Sequence, residues 1–188
     1  MPGAFEELRS EVLGCTRCEL STTRTQVVFG SGPSDAAVMI VGEAPGAEED
    51  RTGVPFVGRS GQLLERVVAE ELGLARDDCF IANVVKCRPP ENRDPRPVEV
   101  AACRPYLADQ VRLVAPRVVL TVGNFAARVL LETRDGITRL RGRTYPFGDA
   151  TLVPTLHPAA VLRGGAAAMA SFREDIRLVG AVLDGAAA

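Results

Sequence analysis

The amino-acid sequence predicts an α/β protein: a single-domain, three-layer α/β/α sandwich around a small parallel sheet of about four strands. Three observations carry that expectation. Four short apolar runs, at residues 37–41, 79–85, 118–122 and 151–155, are bounded by turn residues and read as buried strands. Segments between and after them carry apolar residues at helical spacing, so strands and helices alternate along the chain. No repeat, linker or composition break divides residues 1–188, about one domain's worth of chain.

In chain order, Phe5, Leu8, Val12 and Leu13 recur at helical spacing, and Gly14 ends that helix. Cys15-Thr16-Arg17-Cys18 follows, then a polar, Gly/Pro-rich arm over residues 21–35. The first strand, 37–41, exits sharply into Gly42-Glu43-Ala44-Pro45-Gly46-Ala47-Glu48-Glu49-Asp50. Four acids within eight residues, beyond the carboxyl end of a strand, mark a place where ligands bind. The next segment, Gly53-Val54-Pro55-Phe56-Val57-Gly58, is rigid and partly apolar, and suits a pocket wall.

Ser60 resembles a helix N-cap, Leu63, Leu64, Val67, Val68 and Leu72 line one face, and Gly73 closes the helix. The second strand, 79–85, leads into a proline-punctuated loop, 88–95. A helix from Pro97 to about Val114 is expected to kink or restart at Pro105. The third strand precedes a helix at Asn124–Leu131, and the fourth strand delivers Leu156-His157-Pro158. A loop at 158–163 and an amphipathic helix at about 172–183 finish the chain, whose Gly/Ala-rich end is expected to fray.

Hydrophobic content of 46%, charged content of 24% and a net charge of −2 are ordinary for a globular chain and announce no global basic field. Of 22 basic residues only Lys86 is lysine; arginine is the better partner for bidentate phosphate contacts. No apolar run reaches membrane-spanning length, and residues 1–7 lack the basic and apolar regions of a signal peptide. A cytoplasmic location follows as the expectation, with no membrane partner, and disulfides are rare there.

Five cysteines therefore need another explanation. Cys15 and Cys18 form a C-x2-C pair; Cys87 and Cys103, separated by fifteen intervening residues, straddle the proline-rich loop. Two such pairs can converge on zinc or on an iron–sulfur cluster, and spacing does not separate the two. Unrelated buried thiols are the alternative. Cys79, inside a strand, reads as a core residue. A metal centre here would tie the N-terminal arm to the loop at 86–104 and brace the surface rather than catalyse.

His157 is the only histidine. It follows a strand end and precedes a proline that fixes the backbone. In the segment after it, Val161, Leu162 and Arg163 suit a wedge that unstacks bases while the cation holds a phosphate; the alternative is the start of a buried helix.

These motifs, Gly42-Glu43-Ala44-Pro45-Gly46, Pro55-Phe56-Val57-Gly58, Asn83-Val84-Val85-Lys86-Cys87-Arg88-Pro89-Pro90 and His157-Pro158-Ala159, taken in order, resemble the family 4 uracil-DNA glycosylases from Leu8 to the final helix. The resemblance implies a four-stranded parallel sheet between helices and a [4Fe–4S] cluster on Cys15, Cys18, Cys87 and Cys103. It implies a monomer acting on uracil-containing DNA, single-stranded or in U·G and U·A pairs, at the nucleoid. Such an enzyme releases uracil and leaves an abasic site. It assigns His157 as donor to uracil O2 and Glu43 to the water and the sugar cation. Phe56 would stack on the flipped base, Asn83 would read its Watson–Crick edge, and Ala44 and Glu49 would complete the uracil pocket.

Two positions depart from the better-known family 1 pattern. Ala44 stands where that motif has aspartate, so water is handled differently. Gly46 stands where it has the tyrosine that excludes thymine, and Glu49 is the candidate to fill that gap. A covalently trapping relative is the rival, but it uses a histidine in an added basic loop. The corresponding loop here, residues 88–98, is short and has none.

Overall fold

A computed structural model of the chain describes residues 3–185; the fraying expected beyond Gly185 lies outside them. Five strands form one sheet: β1 (Val38–Gly42), β2 (Cys79–Asn83), β3 (Val118–Val122), β4 (Tyr145–Phe147) and β5 (Ala150–Thr155). Their order is β2-β1-β3-β5-β4, with the first four parallel and β4 antiparallel at one edge. The four strands expected from the sequence are the parallel ones. The fifth is a three-residue edge strand, joined to β5 by a two-residue hairpin in which Phe147 pairs Ala150. It is too short to show a period, and Pro146 in its middle is tolerated because an edge strand need not donate on both sides.

Side chains alternate across the sheet and build a core on each face. Met39, Val41, Phe80, Ala82, Val119 and Leu152 pack on one side, with residues of α1 (Ala4–Leu13), α4 (Pro97–Val114) and α5 (Asn124–Leu131). Val38, Ile40, Ile81, Val118, Leu120 and Val153 face the other, against α3 (Arg59–Leu72) and α7 (Pro158–Leu183). The three-layer sandwich is as the sequence predicts. Cys79 belongs to the second core, across the sheet from the other four cysteines. No helix of the described residues is long and apolar enough to cross a membrane.

Local details depart from expectation. The acidic segment is not an open loop but a short helix, α2 (Ala47–Thr52), entered from Gly46. Gly58, not Ser60, is the N-cap of α3, because the chain leaves the pocket wall already turning; Ser60 lies inside the first turn. Helical dihedrals run unbroken through Pro105. Pro105 and Ala101, whose carbonyl loses its donor, are both exposed, so solvent can satisfy that oxygen. The last helix starts at Pro158 rather than near 172, and is interrupted only at Gly165 (φ 67°, ψ −156°). A four-residue helix, α6 (Ile137–Leu140), occupies part of the irregular stretch before β4.

Candidate active site

The carboxyl ends of β1, β2, β3 and β5 lie side by side, and the chain turns opposite ways from β1 towards β2 and β3. A crevice forms at such a switch point. Here it is an open cleft of about 710 Å³, lined by Glu43, Ala44, Glu49, Phe56, Asn83, His157 and Arg163 among others. Residues from four separate stretches of sequence thus meet at one site.

Glu43 directly follows β1 and is half-buried. Burial pushes its carboxyl up to about 7, and the negative charge of Asp94 adds to the rise. Its backbone is pinned by the Val85 N–H, which donates to the Glu43 carbonyl at 3.1 Å. At neutral pH this carboxyl is poised to exchange a proton.

His157 caps α7, and its Nδ1 accepts from the Ala159 N–H at 3.1 Å. Burial, reinforced by the Arg163 charge, holds the imidazole pKa below its ordinary value. The ring is therefore neutral at pH 7, and with Nδ1 accepting, its proton sits on Nε2. His157 is a hydrogen-bond donor with a fixed tautomer. Gly123 (φ 98°) lets the ring lie close, since a Cβ there would stand 3.1 Å from the His157 Cβ and 3.2 Å from Cδ2.

Phe56 forms the wall facing that ring, with centroids 6.4 Å apart and planes inclined by 32°. It sits at φ 52°, a left-handed conformation costly for an aromatic residue. The conformation is held by Arg76, which donates to the Phe56 carbonyl at 3.2 Å and to the Pro55 carbonyl. Gly42 makes room beneath: a Cβ there would stand 2.5 Å from both the Phe56 ring and Asn83 Oδ1.

Asn83 is 2% exposed at the end of β2, and its Oδ1 has no hydrogen-bond partner. An orphaned buried acceptor is costly unless a ligand donor meets it. Glu49 is committed to the pocket wall: its carboxylate accepts from the N–H groups of Gly46 (3.1 Å), Val57 (3.1 Å) and Gly58 (3.3 Å). Its Oε2 lies 2.7 Å from where a Cβ on Gly46 would be, so it fills the space a larger residue at 46 would occupy. The first turns of α3 and α7 border the cleft, and their free N–H groups favour negative charge there.

A family model described as the uracil DNA glycosylase superfamily matches residues 29–177. The chain belongs to this superfamily. Within it, the similarity is to type-4 uracil-DNA glycosylases. That of Sulfurisphaera tokodaii is 43% identical, over 85% of this chain and 76% of the relative. That of Thermotoga maritima is 43% identical, over 85% and 83%. That of Pyrobaculum aerophilum is 41% identical, over 93% and 92%.

In this type-4 family member, one expectation about the DNA wedge is corrected. Residues 161–163 lie on α7, not on a loop, and Val161 is 2% exposed, packed in the core between sheet and helix. Helical periodicity turns it inward because it lies three residues after Pro158, which is also buried. Leu162, 46% exposed, and Arg163, on the cleft, remain at the surface.

Cys15, Cys18, Cys87 and Cys103 do converge, lining one cavity together with Arg24, Lys86, Glu99 and Tyr106. Among the described residues no group of three or more His, Cys, Asp or Glu side chains is placed so as to hold a metal ion. Four thiols are a donor set for a soft metal centre, zinc or an iron–sulfur cluster alike. Arg24 Nη1 donates to Cys87 Sγ at 3.3 Å and the Lys86 N–H to Cys103 Sγ at 3.3 Å, contacts that favour thiolate. Burial favours the thiol, pushing Cys87 up to about 11, so a bound metal would have to displace that proton.

Several residues of the site carry no sequence signal. Arg76 braces Phe56 from a turn, and Asp94 acts on Glu43 from the proline-rich loop. Asp50, read only as one of four acids, is 4% exposed and accepts from the N–H groups of Thr25 and Gln26, fastening the arm to α2. Lys86 did carry a signal, as the sole lysine among 22 basic residues.

Proposed function

We propose that the chain is a DNA-repair hydrolase that cleaves the N-glycosidic bond of deoxyuridine in DNA, releasing uracil and leaving an abasic site. The observation that carries this reading is the pairing in one cleft of a neutral, Nε2-protonated His157 with an unpartnered, buried Asn83 Oδ1. Uracil presents an N3–H donor flanked by carbonyls. Asn83 Oδ1 accepts from N3–H and its amide nitrogen donates to O4; cytosine, with an acceptor at N3 and an amine at C4, fits neither. The flipped base lies against Phe56, and flipping costs a few kcal/mol, least in single strands and mismatches.

Cleavage breaks C1′–N1, and the bonding pair passes to uracil. The charge reaching O2 is met by the His157 Nε2–H, in the manner of an oxyanion hole. Glu43 faces the cationic sugar and takes the proton of the water that bonds to C1′. Leu162 and Arg163 are the remaining candidates for opening the strand and holding a phosphate. Glu49, filling the space over Gly46, is the candidate for refusing the thymine methyl.

The cavity of Cys15, Cys18, Cys87 and Cys103 would hold a [4Fe–4S] cluster, whose part is to cross-link the N-terminal arm to the loop at 86–104. Purified protein is then brown, absorbing near ~400 nm. Cys87→Ser lowers the iron content and the melting temperature. Cys79→Ser, across the sheet, leaves the iron content unchanged. Stoichiometric zinc in colourless, anaerobically purified protein would contradict the assignment. We place the protein in the cytoplasm, working on nucleoid DNA as a monomer of one domain.

The defining experiment incubates the protein with a labelled strand carrying one uracil, followed by alkali. Strand scission at the uracil, absent with thymine in its place, is the expected result; an intact strand would refute the reading. Asn83→Asp should cut the excision rate by ten- to a hundredfold, about the cost of losing one hydrogen bond to the base and gaining an unwanted charge. An unaltered rate would remove Asn83 from base reading.

A further inference from the structure

Lys86 is the only lysine in the chain and is 1% exposed, among the largest fully buried side chains. Its ammonium is spent on two neutral acceptors: Nζ donates to the Asn83 carbonyl at 2.7 Å and to Gln110 Oε1 at 2.5 Å. Gln110, itself 0% exposed on α4, donates from Nε2 to the Phe29 carbonyl at 2.8 Å. The turn from Asn83 to Lys86 is thereby folded around its own lysine. The same turn is clamped to β1's exit, with the Val84 N–H donating to the Gly42 carbonyl (2.8 Å) and the Val85 N–H to the Glu43 carbonyl (3.1 Å). Its far end reaches the cysteine-lined cavity through the Lys86 N–H contact with Cys103 Sγ.

From this geometry we propose that Lys86 is a positioning residue for base recognition: by fixing the Asn83 carbonyl against Gln110 it sets the peptide from which the Asn83 side chain reads uracil. The inference rests on the proposed uracil-reading role of Asn83. Among the described residues the Lys86 side chain donates to the Asn83 carbonyl and to Gln110, whereas the Glu43 backbone is held by the Val85 N–H rather than by the lysine. Its loss should therefore weaken contacts to the base while sparing contacts to the sugar–phosphate chain.

The test uses full-length, metal-loaded protein and Lys86→Met, which keeps the length and apolar stem but removes the ammonium. Three quantities are compared with the parent: inhibition by free uracil, affinity for a single strand carrying an abasic site, and iron content. Uracil inhibition should weaken tenfold or more, with abasic-strand affinity and iron content each within twofold. Uracil inhibition within twofold of the parent would overturn the proposal. So would a parallel fall of all three, which marks a merely structural role. If Lys86→Met does not fold, Gln110→Leu frees the ammonium from its anchor without touching the turn. It should weaken uracil inhibition threefold or more and spare the abasic strand, and an unchanged uracil inhibition there would likewise overturn the proposal. A parent that excises no uracil would refute the proposed activity instead, so the two failures are distinguishable.

Discussion

Replacing His157 with alanine should slow single-turnover uracil release by about a hundred- to a thousandfold, the scale for losing one preorganised donor to a developing oxyanion. The size follows from preorganisation. The Ala159 N–H holds Nδ1 as acceptor, so Nε2 carries the proton before substrate arrives. Burial and the Arg163 charge keep the ring neutral, so donation costs no change of charge at the start. Binding to a strand that already contains an abasic site should change by less than about threefold, because that ligand lacks uracil O2. An unchanged excision rate would return His157 to a purely capping role at the start of α7.

Replacing Glu43 with glutamine should lower the rate by roughly 10²–10⁴-fold and erase its pH dependence near neutrality. In the proposed mechanism Glu43 is the charged base, and its carboxyl is raised to about 7 by burial and by Asp94. Below that value the group is protonated and cannot take the water's proton. The rate should therefore fall about tenfold per pH unit below ~7 and level off above it. Any limb from His157 lies on the acid side of this one, because burial and the Arg163 charge displace its pKa downward from the ordinary imidazole value. Asp94→Asn removes part of the rise and should move the limb to lower pH. A pH limb that persists unchanged in Glu43→Gln would assign it to another group.

Most of the fold could be read in the sequence because the parallel strands are buried on both faces. Their burial makes 37–41, Val118–Val122 and their partners predominantly apolar runs with helical patterns between them. Three features could not be read that way. The edge strand at Tyr145–Phe147 is half-exposed and three residues long, so it has no period. The start of α3 was set by the preceding turn at Gly58 rather than by the capping chemistry of Ser60. The helix at Pro158 hid behind a Gly-Gly pair, and with it the inward orientation of Val161. The site divides in the same way. Glu43 and His157 lie just beyond strand ends and Asn83 is the last residue of β2, positions that sequence locates well, and the three meet in one cleft. The groups that tune them, Arg76 on Phe56, Asp94 on Glu43 and Gln110 on Lys86, act through space from turns and helices where no local pattern marks them.

The central claim is that water, not the protein, completes the displacement at the sugar. The most direct measurement is a mass balance on a labelled single strand bearing one uracil, with the strand in tenfold excess over protein. Free uracil is counted, and the strand is resolved on denaturing gels with and without alkali. The proposed mechanism predicts several uracils released per protein, each matched by an alkali-cleavable strand, with no label on the protein. Release that stops at one uracil per protein, with a protein–DNA band surviving heat and detergent, would contradict it.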